Sequence, residues 1–270
     1  MFIYSTWEKI CQDISKNYKT IKLNQILDYD RDKKYIVIKH DVETNPQKAL
    51  DLAKIEHSYN IKATYYVQAD LVDKHYKTLQ QIASLGHEVT YHYDVLDANG
   101  GDFEKAIVEF STNVKKFEDY GFKVQTVCPH GNPIMLRDGW SSNKDFFRKS
   151  DVKDLFREIL DVVVELPKKV DYTYISDAGY GFKEIVNIQN NDLKNDGDID
   201  IKDAKELLEI ISKKDRVIFS THPHRWKKNR FKFLLNVYIF KVVRFIARKI
   251  SKIPILKKII SRYYFLAKKI

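Results

Sequence analysis

Cysteine is scarce in this 270-residue chain, which has only Cys11 and Cys128. Two cysteines cannot form a disulfide framework, and their rarity suits a reducing compartment. Long apolar runs are also missing. No stretch reaches the roughly 18 uncharged apolar residues of a membrane-spanning helix. The N-terminal MFIYSTWEKICQDISK lacks the basic and apolar regions of a secretory signal. The chain is therefore expected in the cytoplasm. There is no internal repeat and no low-complexity linker.

The most local absence is of negative charge. Residues 225–270 contain fifteen Lys and Arg but no Asp or Glu, whereas residues 1–224 hold 32 basic and 37 acidic residues, a net of −5. The overall charge of +10 thus averages two different objects: a mildly acidic domain, residues 1–226, and a basic tail, residues 227–270. With 44% hydrophobic residues, the chain can bury the core of one domain of about 200–250 residues plus an extension.

What is present is an alternation of extended and helical patterns. Extended candidates are residues 35–39, 62–68, 88–92, 123–128, 172–176 and 216–220, with 161–165 a weaker seventh. Helical periodicity occupies 5–16, 46–58, 75–85, 103–119, 144–160 and 203–213. Alternating βα units with about seven strands predict a parallel barrel or a doubly wound sheet. The apolar runs tend to stop on histidine or aspartate. Five of the eight histidines, His40, His92, His130, His222 and His224, lie at their downstream ends. In a parallel α/β fold these ends share one face, where active sites are built.

Four clusters carry this pattern. His40-Asp41-Val42-Glu43 offers a metal ligand beside a proton-transfer group. In Gly86-His87-Glu88-Val89-Thr90-Tyr91-His92-Tyr93-Asp94, His92 and Asp94 are two apart, so on extended backbone they point the same way toward one cation; His87, at the strand entrance, is a structural hydrogen bonder. Cys128-Pro129-His130-Gly131-Asn132 and Thr221-His222-Pro223-His224-Arg225-Trp226 are the other two, and Ser176-Asp177 adds one carboxylate. Cys128 reads as a small buried hydrophobe. The segment Asp192–Asp203 imitates a calcium loop, but Lys194 stands at its third position and Asp203 at its twelfth, so it reads as an acidic turn capping the next helix.

Together these residues resemble the polysaccharide deacetylase superfamily, the NodB-homology carbohydrate esterases, over roughly Tyr35 to Trp226. Ile38-Lys39-His40-Asp41 is similar to the first motif and Ala63-Thr64-Tyr65-Tyr66-Val67 to the ATFFV strand. Gly86-His87-Glu88 through His92 is similar to the GHEIGNH stretch, and Thr126–Gly131 falls at the arginine-proline-tyrosine motif. Ser220-Thr221-His222-Pro223 is similar to the final strand. The variants present look like a branch found among surface-polysaccharide biosynthesis proteins.

The resemblance implies a distorted (β/α) barrel, a divalent metal, usually zinc, and removal of an N- or O-acetyl group from a sugar. Asp41 and His92 are then metal ligands and His222 the proton donor to the leaving group. Two departures stand out. The base position holds His40 instead of aspartate, and the second metal histidine falls at Leu96. Asp94, His130 or Glu43 is left to complete the metal sphere, Asp94 being the ligand taken with Asp41 and His92. The catalytic candidates are His40, His222 and Asp177; the substrate-binding candidates are His130, Asn132 and Trp226.

The tail reads as two amphipathic helices split at Pro254. Lys241, Arg244, Arg248 and Lys252 fall opposite Tyr238, Ile239, Val242, Phe245, Ile246 and Ile250, and Lys257, Lys258, Ser261, Arg262 and Lys269 opposite Ile259, Ile260, Tyr263, Leu266 and Ile270. A basic, acid-free amphipathic helix suits an anionic membrane interface; packing on the domain's own surface is the competing reading. Nucleic acid is not an expected partner, because it needs charge but no greasy stripe. The expectation is a deacetylase peripheral on the inner face of the cell membrane, acting on an acetylated sugar or lipid-linked oligosaccharide. The alternative is a non-catalytic glycan-binding or scaffolding protein on the same fold.

Overall fold

The computed structural model describes residues 1–250 apart from 31, 133–134, 178–179 and 191–196, with backbone only for 243–250. The second tail segment with Pro254, the Ala178-Gly179 pair and residues 192–196 of the acidic turn before Asp203 lie outside the described residues. Along the chain run α1 (Tyr4–Asn17), β1 (Lys19–Thr20), β2 (Tyr35–Val42), α2 (Pro46–Ser58), β3 (Ala63–Val67), α3 (Ala69–Ser84), β4 (Glu88–Tyr93), α4 (Val95–Ala98) and α5 (Phe103–Asp119). Then follow β5 (Thr126–Pro129), α6 (Asp145–Arg148), α7 (Ser150–Leu155), β6 (Leu160–Asp161), β7 (Thr173–Ser176), β8 (Phe182–Ile185), β9 (Ile199–Ile201), α8 (Ala204–Ser212), β10 (Arg216–Thr221) and α9 (Arg230–Ile250).

The sheet order is β6-β5-β4-β3-β2-β10-β7-β8-β9, with β1 beside β2. The seven strands from β6 to β7 are parallel; β8 and β9 extend the sheet antiparallel. This is the mixed α/β architecture expected, with six anticipated strands in place and the weaker seventh, 161–165, reduced to the two-residue β6 with a turn after it. The sheet curls. Val37 on β2, Tyr66 on β3, Cys128 on β5, Tyr174 on β7, Ile218 on β10 and Val162 after β6 meet in one apolar cluster inside it. The larger core lies between the sheet and the surrounding helices, and takes Ile36, Ile38, Tyr65, Val67, Tyr91, Val127 and Phe219 from the outward faces of the same strands. Period-two alternation separates the two cores.

Helix starts follow local chemistry. Pro46 opens α2, where its missing N–H costs nothing. Asp102 caps α5 by accepting from Lys105 N, and Asp203 caps α8 by accepting from Lys205 N and Glu206 N. Two helices differ from the sequence reading. α3 begins at Ala69 and carries a non-helical residue at His75, which hides its first turns from a periodicity count. The expected 144–160 helix is instead the short pair α6 and α7, broken at an extended Lys149. The break lets Phe146, Phe147 and Phe156 all reach Phe110, at ring distances of 4.7 to 5.5 Å.

Candidate active site

Alternation decides which strand-end residues enter the barrel. On β2 the inward series is Val37, Lys39 and Asp41, continued by Glu43; on β4 it is Glu88, Thr90 and His92. On β5 it is Thr126, Cys128 and then His130, and on β10 it is Ile218, Ser220 and then His222. Each series ends on a chemically active side chain at the downstream rim.

His40 takes the opposite parity, and the expected base is thereby corrected. It is fully buried in the helix layer, stacked on Tyr65 at 4.3 Å, with Nε2 2.6 Å from Glu56 Oε1. Tyr65 donates to the other Glu56 oxygen at 2.7 Å. Burial opposes ionisation of Glu56, but His40, together with His87 and Tyr65, holds the carboxyl below its usual range. This is a structural polar cluster facing away from the rim. His87 lies in the same layer, accepting from Ala63 N and bonding Ala53 O, both at 3.1 Å.

At the rim, Glu43 Oε1 lies 3.2 Å from His130 Nε2, 3.6 Å from His222 Nε2 and 3.9 Å from His92 Nε2. His92 Nδ1 is bonded to the carbonyl of Cys128 at 2.9 Å, which fixes the ring, while its buried Nε2 has no hydrogen-bond partner. Burial again opposes ionisation of Glu43, yet His130, His92 and His222 keep its carboxyl well below the usual range. Among the described residues, two groups of three could hold a metal: Glu43-His92-His130, and Asp41-His92-Cys128. The second is already compensated. Lys39 Nζ donates to Asp41 Oδ2 at 2.8 Å, and burial pushes the Cys128 thiol well above its ordinary pKa. The first set, two imidazoles and a carboxylate around an unpartnered Nε2, fits a zinc ion's preferred donors.

Asp94, expected as the third ligand, belongs to neither group. The strand ends at Tyr93, and Asp94 turns (φ −139°, ψ 26°) ahead of α4 to line a neighbouring cavity. Extended geometry stops one residue too early for it to converge with His92. His130, expected to bind substrate, joins the ligand group. Asn132 follows on the same loop, where its backbone carbonyl accepts from Arg137 Nη2 at 2.9 Å. Trp226 is corrected from substrate contact to core: it is fully buried against Phe2 and Trp7 and donates to Thr221 Oγ1 at 2.8 Å.

His222 and Asp177 are brought together. Asp177 Oδ1 lies 2.6 Å from His222 Nδ1, and Oδ2 accepts from the His222 backbone N–H at 2.8 Å and from Thr221 Oγ1 at 2.7 Å. Arg225 Nη1 adds a contact to Oδ1 at 2.7 Å. Burial would raise the Asp177 pKa, but Arg225 and then His222 outweigh it, so the carboxylate stays charged. Nδ1 is thereby committed, and Nε2 is turned toward Glu43 and Asp41, the latter at 3.9 Å. Glu43 stands in the sequence reading beside Asp94 and His130 as an alternative third ligand; Lys39 and Arg225 are the participants that strand-end reading missed, and parity from Asp41 would have found Lys39.

Neither a scan of protein-family models nor a search of curated proteins returns a match. Solved structures that resemble the chain are deacetylases and carbohydrate esterases. Peptidoglycan deacetylase PdaC from Bacillus subtilis aligns at 14% identity and TM-score 0.41, covering 83% of this chain and 98% of that one. A family 4 carbohydrate esterase from Streptomyces lividans, in complex with acetate, aligns at 12% and 0.45, covering 78% and 89%. BA3943, a family 4 pseudoenzyme from Bacillus anthracis, aligns at 12% and 0.43, covering 78% and 62%. These are the class of protein that the sequence motifs resemble.

Proposed function

We propose that this chain is a metal-dependent carbohydrate deacetylase that removes an N- or O-acetyl group from a sugar of a surface-polysaccharide precursor. The observation that carries the reading is the convergence of Glu43, His92 and His130 beside a histidine, His222, whose other nitrogen is held by a buried carboxylate. Glu43, His92 and His130 would hold a divalent ion, zinc by the chemistry of the set. When bound there, such an ion supplies Lewis acidity to an acetyl carbonyl and acidity to water.

The remaining work belongs to side chains. Asp41 takes the role expected of His40: its Oδ2 is fixed by Lys39, while its buried Oδ1 has no hydrogen-bond partner and is available to accept the proton of an attacking water. The water oxygen bonds to the acetyl carbon. His222, protonated at Nε2, gives that proton to the departing nitrogen or oxygen as the C–N or C–O bond breaks. Acetate and the deacetylated sugar leave, and proton exchange with solvent restores both groups. Asp177 keeps the imidazolium oriented and charge-compensated.

The same proposal sets the protein at the inner membrane face, within reach of lipid-linked substrates. Support comes from the basic, acid-free residues 225–270 and from apolar side chains exposed along α9. No helix among the described residues is long and apolar enough to cross a membrane.

Elemental analysis of the purified protein is expected to find one equivalent of zinc, and acetate release from N-acetylated hexosamine oligomers should track occupancy. Glu43→Gln and His92→Gln should lose both. His222→Ala should keep the zinc and lose roughly 10²–10⁴-fold in rate. Zinc retained by both ligand variants, or turnover indifferent to chelation, would sink the proposal.

A further inference from the structure

A cavity of about 1040 Å³ opens beside the site, with Glu43 in its wall. That is the upper end of the roughly 300–1,000 Å³ range of ligand pockets, so an acetylated monosaccharide leaves much of it unused. Its lining carries charge of both signs. Asp70, Asp94, Glu109 and Lys116 belong to the stretch near α3, α4 and α5; Glu43, Lys48, His224 and Lys227 belong to the stretch near α2 and the loop after β10.

The stretch with Lys48 and Lys227 has an unusual construction. Lys48 Nζ and Lys227 Nζ both donate to one acceptor, the backbone carbonyl of His224, at 3.1 and 2.8 Å. Among the described residues, no carboxylate lies within salt-bridge distance of either lysine. Asn236 of α9, oriented by its neighbours, adds an amide oxygen 2.8 Å from Lys227 Nζ. Thr44 and Asn45, just before α2, and Lys48 in its first turn line the cavity; that turn has no acidic residue and no side-chain cap. His224 completes the wall with a buried Nδ1 that has no hydrogen-bond partner.

Two ammonium groups held side by side repel each other unless an anion lies between them. A carboxylate offers one charge; a phosphate or pyrophosphate offers two or more and several acceptor oxygens. Resting on the deacetylase reading above, we infer that the sugar bound here carries a phosphate, received by Lys48 and Lys227 in the cavity whose wall also carries Glu43. The substrate class is then a phosphosugar or a phosphate-linked glycan precursor instead of a neutral polymer. Burial and the neighbouring Lys48 push the Lys227 ammonium down to about 7, a strain that a bound dianion would relieve.

Calorimetry on the full-length protein tests this with an N-acetylhexosamine 1-phosphate, the same sugar without phosphate, and inorganic pyrophosphate. The phosphosugar is expected to bind at least tenfold tighter than the neutral sugar, and pyrophosphate to compete with it. Lys48→Met and Lys227→Met should each erase that preference with unchanged thermal melts, while Lys227→Arg keeps it. Equal affinity for the two sugars, or a preference surviving both methionine variants, overturns the inference. So does competition by phosphatidylglycerol vesicles without any preference between the sugars, which would assign the lysines to lipid headgroups. Glu43→Gln separates this inference from the deacetylase reading: phosphate-dependent binding should persist there. A wild-type protein that binds the phosphosugar but never releases acetate would refute the reaction and leave the phosphate subsite standing.

Discussion

Asp161, at the end of β6, carries a pH signature that stability can read. Its Oδ1 accepts from Val163 N and Val164 N at 2.8 and 2.7 Å, and its Oδ2 from Tyr93 OH at 2.6 Å. Burial outweighs these donors and pushes its pKa from an ordinary 3.8 up to about 6. A carboxyl raised above its unfolded value favours the folded state while protonated. That advantage is complete below the unfolded pKa and is lost as pH rises through about 6. A rise of this size corresponds to about 3 kcal/mol. Asp161→Asn keeps an acceptor for both amides and can donate to Tyr93, so it should flatten the fall in melting temperature across the interval from about pH 4 to about pH 6. Melts of the variant that retain the full wild-type slope would show that another group titrates. The same scale explains what the sequence hid. His40 and Asp41 look equivalent as strand-end polar residues, but parity sends one to the helix layer and the other to the barrel rim. Lys39 looked like the end of an apolar run, yet it is buried inside and pairs with Asp41.

At the scale of elements, α4 explains how the proposed site can be furnished with Leu96 where the resemblance expects a second metal histidine. Leu96 is fully buried in the core and contributes nothing polar. Its neighbour Asp97 instead ties down the loop that bears His130. Arg137 donates to both Asp97 oxygens at 2.8 Å, Trp140 Nε1 to one at 2.9 Å, and Asn143 Nδ2 to the other at 3.0 Å. Asn143 also donates to the carbonyl of His130 at 2.9 Å. The element that carries Leu96 thus supports the loop that bears His130, a ligand in the proposed site. Residues supporting metal ligands typically alter affinity by 10–100-fold. Asp97→Ala should therefore weaken zinc binding by about that factor in a chelator competition assay, with the far-ultraviolet circular dichroism unchanged. Unaltered affinity would mean that His130 is held without α4. None of this was legible from local pattern, because Asp97 and Arg137 are 40 residues apart and neither lies at a strand end. The strands themselves were legible, since seven apolar runs separated by helical periodicity leave few arrangements other than a parallel sheet.

For the whole molecule, the question is how the charge asymmetry and α9 act together. α9 is apolar on two sides. Phe233 is buried against Phe2 and Tyr180, and Phe240 meets Tyr180 at 5.1 Å, so part of the helix docks on the domain. Phe231, Leu234, Leu235, Tyr238, Ile239 and Val242, at helical spacing, are exposed. The two readings of this segment are thus compatible: one face packs on the domain, and the other is left for an interface. Asn236 lines the cavity, which would set a membrane-bound α9 beside the substrate entrance. Basic residues attract anionic lipid, at about 1 kcal/mol each near the surface, while the apolar stripe gives depth. Cosedimentation should then show binding to phosphatidylglycerol vesicles and little to phosphatidylcholine vesicles, falling at about 1 M salt, where the screening length is about 3 Å. Replacing Leu235, Tyr238 and Val242 by serine should weaken binding to anionic vesicles without lowering the melting temperature, because all three side chains are already exposed. Equal partitioning onto neutral and anionic vesicles would remove the basic residues from the explanation. Retention of full affinity by the triple serine variant would remove the stripe, and with it the reason for placing the cavity at a membrane.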